Sequence, residues 1–173
     1  MNHWQLAQLN IAHAIAPLDD PLMAGFTEQL DAINQLAEQS PGFIWRLQSD
    51  SGNATDISYD ADPLIIANMS VWASLEDLQR YVYTGEHLAM LKQRKAWFGK
   101  IDGPALVLWW IPAGHIPTLL EAKAALELLR LNGSSACAFS FAKPFGPPSI
   151  NPLEQPGVRA DTAAWNPARV SVS

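Results

Sequence analysis

One cysteine, Cys137, in 173 residues rules out an internal disulfide and every Cys-x-x-Cys metal or redox motif. Basic charge is scarce as well. Lysine and arginine total 11 against 17 acidic residues, for a net charge of −6, and no basic cluster exceeds Lys92-Gln93-Arg94-Lys95. Nucleic acid and anionic membrane surfaces both demand a contiguous cationic footprint, so neither is an expected partner. No run reaches about 18 apolar residues, which leaves no spanning helix. The start, Met1 to Ile11, has no basic segment leading into an apolar one, so no signal peptide is expected and the expected compartment is cytoplasmic. The four histidines, His3, His13, His87 and His115, contain no pair three or four apart, which argues against a zinc or di-iron site. GxGxxG, P-loop and GxSxG patterns are missing too, which removes nucleotide and common hydrolase readings.

What remains is a globular composition, 49% apolar and 16% charged, of a length that suits one domain. Seven tryptophans are a heavy load, and buried Trp seeks a partner for its N–H. A cavity, polar pocket or oligomer interface therefore accounts for them better than a dry core alone.

Trp4 to Ile11 alternates Leu6, Gln8 and Asn10 against Ala7, Leu9 and Ile11, the period of a strand with one wetter face. Asp20-Pro21 reads as a helix start, and Leu22, Phe26, Leu30, Ile33 and Leu36 form the stripe of a helix that Ser40-Pro41-Gly42 stops. Phe43 to Gln48 is a short aromatic strand, with Arg46 expected on the face opposite Phe43, Trp45 and Leu47. Ser49 to Pro63 is a long hairpin loop, and Leu64 to Trp72 a strongly apolar strand interrupted by Asn68 and Ser70. Ser74 caps a helix running to about Tyr83, Thr84-Gly85 kinks it, and a second stretch continues to Phe98. Ala105 to Ile111 is a strand, Thr118 and Glu121 form a capping box, and Ala136 to Phe141 reads as a final short strand. Residues 1–142 thus make one domain. Residues 143–173 hold six of the 13 prolines and read as an extended tail, with Trp165 its docking residue.

The order β-α-β-β-α-β, with an added helix and strand, is an α+β, ferredoxin-like split βαβ pattern. Helices on one face of such a sheet leave the other needing cover. A second copy supplies it economically, enclosing a barrel-like interior.

The stretch Glu86 to Phe98 is the most informative. At about 100° per residue it gathers His87, Met90, Leu91, Arg94, Trp97 and Phe98 on one face, with the two titratable groups among apolar neighbours. A polar group or charge in such a setting needs a partner. That partner is a ligand, a neighbouring subunit, or the chain itself: a backbone group or buried Asn for His87, Asp31 or Asp102 for Arg94. As functional groups, His87 is an acid or base near neutral pH, and Arg94 a bidentate clamp for a carboxylate. Asn68, Ser70 and Trp72 share one strand face, so Asn68 is a candidate to hold an oxygenated ligand, with Trp72 in the pocket wall. Trp109 and Trp110 point to opposite sides of their strand, one packing under helices and Trp110 or its neighbour walling a flat ligand or a dimer contact. His115 sits in the Pro112–Thr118 turn, where it either organises the loop or donates to a ligand. Cys137 reads as a buried structural thiol.

Several segments are recognisable together: Pro41-Gly42-Phe43-Ile44-Trp45-Arg46-Leu47, Asn53-Ala54-Thr55, Asn68-Met69-Ser70-Val71-Trp72, His87 with Arg94 and Trp97-Phe98, and Leu108-Trp109-Trp110-Ile111-Pro112-Ala113-Gly114-His115-Ile116-Pro117-Thr118. From roughly Trp4 to Phe141 the chain resembles domain-of-unknown-function family 3291, which itself resembles the dimeric α/β-barrel superfamily of antibiotic-biosynthesis-monooxygenase type. The resemblance implies a homodimer. It also implies a monooxygenase-like enzyme acting on a hydrophobic small molecule in a barrel cavity, either cofactor-free or haem-dependent, since one fold hosts unrelated chemistries. In the haem version His87 is the iron ligand and Arg94 a propionate clamp. Otherwise no metal is expected. The candidate site is then His87 as the catalytic group, with Arg94, Asn68, Trp72, Trp97, Trp110 and His115 around the ligand. The alternatives are a non-catalytic binder of haem or a hydrophobic ligand, and a structural dimer without ligand.

Overall fold

Alternation in the first strand decides the architecture of the chain, whose computed structural model describes residues 3–149. The expected docking residue Trp165 and most of the proline-rich tail lie outside the described residues. Strand β1 (Trp4–Ala14) runs through the centre of a five-stranded, wholly antiparallel sheet. On one side it pairs with β3 (Ile65–Trp72), which pairs in turn with β2 (Phe43–Arg46). On the other side Trp4–Asn10 pairs with β5 (Leu106–Pro112), and His13 and Ala14 pair with the two-residue β4 (Phe98–Gly99). The order β2-β3-β1-β5 is that of the ferredoxin-like split βαβ fold which the sequence predicts.

Period-two alternation gives the sheet two different faces. Ala7, Leu9 and Ile11 point with Met69, Val71, Val107, Trp109 and Ile111 into one dry cluster, closed by Ala122, Ala125, Leu126 and Leu129 of helix α5 (Leu119–Asn132). Tyr59 joins this cluster from the long β2–β3 loop, its ring lying under the Lys123 ammonium at 4.7 Å. Both faces of the sheet are therefore covered within one chain. A second copy is not what covers the second face, contrary to what the strand pattern suggests: α5 and the loop bury it.

The other face carries α1 (Ala24–Thr27), α2 (Leu30–Gln39), α3 (Leu75–Tyr83) and α4 (Gly85–Gln93). The first predicted helix is broken. A 3-10 turn at Pro21–Met23, capped by the Asp20 carboxylate accepting from the Leu22 amide, leads into α1, and Glu28-Gln29 separates α1 from α2. The break lets Phe26 meet Phe98 edge-on at 4.9 Å and Trp97 at 5.9 Å. Gly42 ends the turn after α2 with φ +80°, and a Cβ there would sit 2.2 Å from the Asp77 carboxylate, so no larger residue fits. A bulge between Phe43 and Trp45 then splits the aromatic strand. Phe43 opposes Trp72, Trp45 opposes Val71, and Arg46 opposes Ser70, so Phe43 and Trp45 do not share the face that simple alternation assigns them. Arg46 pairs with Glu38 of α2 at 2.7 Å.

Two late elements also differ from expectation. The stretch Glu86–Phe98 is helical only to Gln93, with a 3-10 turn at Arg94–Ala96 delivering Trp97 and Phe98 to β4. Ala136–Phe141 is not a regular strand: Phe139 alone bridges to Leu108 of β5, and Cys137 lies half-buried in a turn. The chain beyond Phe141 stays docked as far as Phe145, whose carbonyl accepts from Trp110 Nε1 at 2.8 Å.

Candidate functional site

Between the wetter sheet face and the α1–α4 layer lies a cavity of about 190 Å³. Its floor is Gln8, Asn10, Asn68 and Ser70, brought together because Asn10 pairs in register with Asn68 and Gln8 with Ser70. Its roof is Tyr81, His87, Met90, Leu91 and Arg94, with Trp97, Phe98 and Phe26 at one end. Asn34 and Asn53 stand at the other side, where Asn34 Nδ2 donates to Asn53 Oδ1 at 2.7 Å and ties the long loop to α2.

His87 reaches this position through the break after α3. Thr84 is extended and Gly85 takes φ +60°, so α4 starts afresh and carries His87 back against α3. The His87 Nδ1 lies 3.1 Å from the Val82 carbonyl, which can only accept; the proton therefore sits on Nδ1 and Nε2 keeps its lone pair. Nε2 has no partner among the described residues. Burial holds the His87 pKa below the ordinary imidazole value, the Val82 carbonyl opposing that shift in part. The imidazole is thus neutral at pH 7.

The ring is held by a chain of contacts that crosses the cavity wall. Tyr81 packs on His87 at 4.5 Å between ring centroids and stacks on Trp72 at 5.1 Å and 24°. Its hydroxyl donates to the Ile33 carbonyl, and burial pushes its pKa well above the usual tyrosine range, the nearby Arg46 working against the shift. Trp72 in turn donates its Nε1–H to Ser70 Oγ at 2.9 Å. Trp72 is fully buried and supports the wall from behind instead of touching the cavity.

Arg94 stands exposed beside the cavity and makes no ion pair among the described residues. Asp31, one acid considered for it, accepts from Asn53 instead. Of the predicted site, the structure gathers His87, Arg94, Asn68 and Trp97 around one space. Trp110 lies outside it, over a shallow second depression with Leu75, Glu76 and Pro144–Pro147. His115 is also apart: its Nε2 meets the buried Glu121 carboxylate at 2.9 Å, which anchors the loop before α5. Gln8, Asn10 and Tyr81 belong to the site and were not singled out by sequence. The wetter face of β1 was the available signal for the first two. Tyr81 carried none, since the break at Thr84 destroys any helical spacing to His87.

The chemistry of haem ligation fits His87, a nitrogen with a free lone pair whose other N–H is held by a carbonyl. The space does not. Pockets for drug-sized ligands start at about 300 Å³, and this cavity, at about 190 Å³, has no room for a porphyrin while α4 lies where it does. Among the described residues no group of three or more His, Cys, Asp or Glu could hold a metal ion, and no helix is long and apolar enough to cross a membrane.

An antiparallel α+β sheet in ferredoxin-like order, hollowed on one face around an imidazole and a guanidinium, places the protein among small-cavity ferredoxin-like domains. Its sequence goes further: the profile of the family described as Domain of unknown function (DUF3291) matches residues 5–155, and the chain belongs to that family. Among curated proteins none matches the sequence. Solved structures with a similar chain path include a Pseudomonas aeruginosa protein at 13% identity and TM-score 0.44, covering 65% of this chain and 96% of that one. A candidate antibiotic biosynthesis monooxygenase from Nitrosomonas europaea is similar at 14% identity and TM-score 0.41, over 66% of this chain and 91% of that one. SnoaB, a cofactor-independent oxygenase from Streptomyces nogalater, is similar at 14% identity and TM-score 0.40, over 63% of this chain and 92% of that one.

Proposed function

We propose that the protein is a monooxygenase-like enzyme that binds a small hydrophobic molecule carrying an acidic hydroxyl or carbon acid, and that His87 takes its proton. The observation that carries this reading is one cavity holding a neutral His87 whose Nε2 has no partner, and an Arg94 that pairs with no acid, among the described residues. A lock between structural elements would have given the His87 Nε2 a protein partner. His87 acts as general base, Arg94 balances the anion that forms, and the apolar wall of Phe26, Met90, Trp97 and Phe98 keeps the anion from water.

A ring-activated methylene deprotonated in this way reacts with dioxygen without a bound cofactor. One oxygen atom becomes a carbonyl on that carbon, and the other leaves as water with the two hydrogens. The homodimer implied by the family resemblance belongs to this reading. With both sheet faces covered, its contact uses an outer surface, such as the α5 face bearing exposed Leu120 and Leu131. Light scattering at graded concentrations tests it.

Naphthol tests the base: its absorption separates phenol from phenolate. The wild type should bind it and raise the phenolate fraction, and His87→Ala should bind it as the neutral phenol. Oxygen uptake with β-tetralone, which has an activated methylene, separates an enzyme from a binder without turnover. A Soret band on adding hemin, lost in His87→Ala, would replace this reading with the haem-dependent one.

A further inference from the structure

The cavity floor has a hydrogen-bonding polarity, and one residue sets it. The terminal amide nitrogen of Gln8 lies 2.7 Å from Asn68 Oδ1, 3.0 Å from Ser70 Oγ and, at a longer contact, 3.5 Å from the Asn68 main-chain carbonyl. Of the two ends of the Gln8 amide, only the NH2 end suits all three oxygens, because a main-chain carbonyl cannot donate. Trp72 Nε1, a donor only, takes a second lone pair of Ser70 Oγ. Two consequences follow. Asn68 Oδ1 is committed to Gln8, so the Asn68 NH2 is the end left without a partner among the described residues. Ser70 Oγ accepts twice, so its own hydrogen has to point elsewhere, and Ser70 lines the cavity. Where Asn68 and Ser70 meet the cavity the floor therefore presents donors, opposite the acceptor-only Nε2 of His87 on the roof.

We infer that Gln8 is a specificity-determining residue, holding Asn68 so that the floor selects ligands whose sheet-facing end is an acceptor oxygen of the ketone or ester class. The inference rests on the cavity being a ligand site, as proposed above, and adds which end of the ligand faces which wall. Gln8 is itself buried and touches the floor groups directly, so its effect on selectivity passes through Asn68 and Ser70.

The test is a pair of size-matched fused bicyclic probes, indanone with only an acceptor and indole with only an N–H donor, titrated by calorimetry. Wild type should prefer indanone. In Gln8→Glu the carboxylate accepts from the Asn68 NH2 and the Ser70 hydroxyl, turning Asn68 Oδ1 to the cavity, and the indanone-to-indole affinity ratio should fall about tenfold. Gln8→Leu, which releases Asn68 without inverting it, should bring the ratio between the two. An unchanged ratio in Gln8→Glu, with both probes bound, overturns the role of Gln8 and leaves the cavity reading standing. No binding of either probe or of naphthol by the wild type overturns both. Should Gln8→Glu fail to fold, Gln8→Leu and the exposed Asn68→Asp, which removes the donor, decide the matter: both must lower the ratio, and an unchanged ratio in both overturns the inference.

Discussion

Trp109 and Trp110 are neighbours on one strand, yet the two sheet faces treat their indoles differently. Trp109 lies beneath α5 in close apolar packing, and its N–H is the one buried side-chain donor without a partner among the described residues. On the other face the Trp110 and Trp72 N–H groups are bonded, to the Phe145 carbonyl and to Ser70 Oγ. The α5 face tolerates an orphan donor, at a cost of about 1–3 kcal/mol, because close packing around it admits no better arrangement. The cavity face spends packing instead: it leaves about 190 Å³ unfilled and fixes the polar groups around that space by bonding them to one another. Dry packing fills one side, and on the other mutually bonded polar groups wall an open space.

The sharpest way to break this contrast is to shorten a side chain on each face. Leu126→Ala, fully buried on the inner side of α5, should cost about 2–5 kcal/mol by urea denaturation, whereas Met90→Ala, already beside empty space, should cost less than about 1 kcal/mol. Equal losses would mean the two faces are packed alike. Ser70→Ala comes next, since it strips the acceptor from Trp72 and should cost about 1–3 kcal/mol. A double-mutant cycle with Trp72→Phe should show the two losses to be non-additive.

A smaller effect is pH-dependent. The pKa of His87 is lowered in the folded chain, while the unfolded chain keeps the ordinary value of 6.5. The unfolded state therefore takes up the proton first as pH falls. Stability from this group is complete above pH 6.5 and is lost progressively below it, until the folded-state pKa is reached. Melting curves from about pH 7.5 to about pH 5 should show a slope in wild type that His87→Gln flattens. The smallest effect belongs to His115→Gln, which keeps a hydrogen-bond donor for the buried Glu121 carboxylate and should cost about 1 kcal/mol or less. It should leave naphthol binding unchanged, because His115 is not part of the cavity.

Much of the fold was readable because its signals are local. Asp20 and Ser74 cap the turns they were assigned, and Thr118 accepts from the Glu121 amide as a capping box requires. The second half of that box went elsewhere, since the Glu121 carboxylate turns to His115. The face shared by His87, Met90, Arg94 and Trp97 also held, even though the helix ends at Gln93, because the 3-10 turn continues nearly the same angular progression. What stayed hidden depended on register and long-range contact. The bulge that separates Phe43 from Trp45 is set by pairing with β3, and the floor exists only once Gln8 lies across from Ser70. The cover over the second sheet face was hidden for the same reason: α5 and Tyr59 come from distant parts of the chain.

The central strand also governs the order of assembly. β1 is the first strand of the chain, but its partners are Ile65–Trp72 and Leu106–Pro112. No hairpin closes on it, so each edge is satisfied only by a long-range search, a topology that folds more slowly than one built from local contacts. During synthesis the Trp4–Asn10 edge has no native partner until Leu106–Pro112 has emerged. An unpaired apolar edge invites association with other chains. The interval before the last strand reaches the first is the one in which that edge stays open.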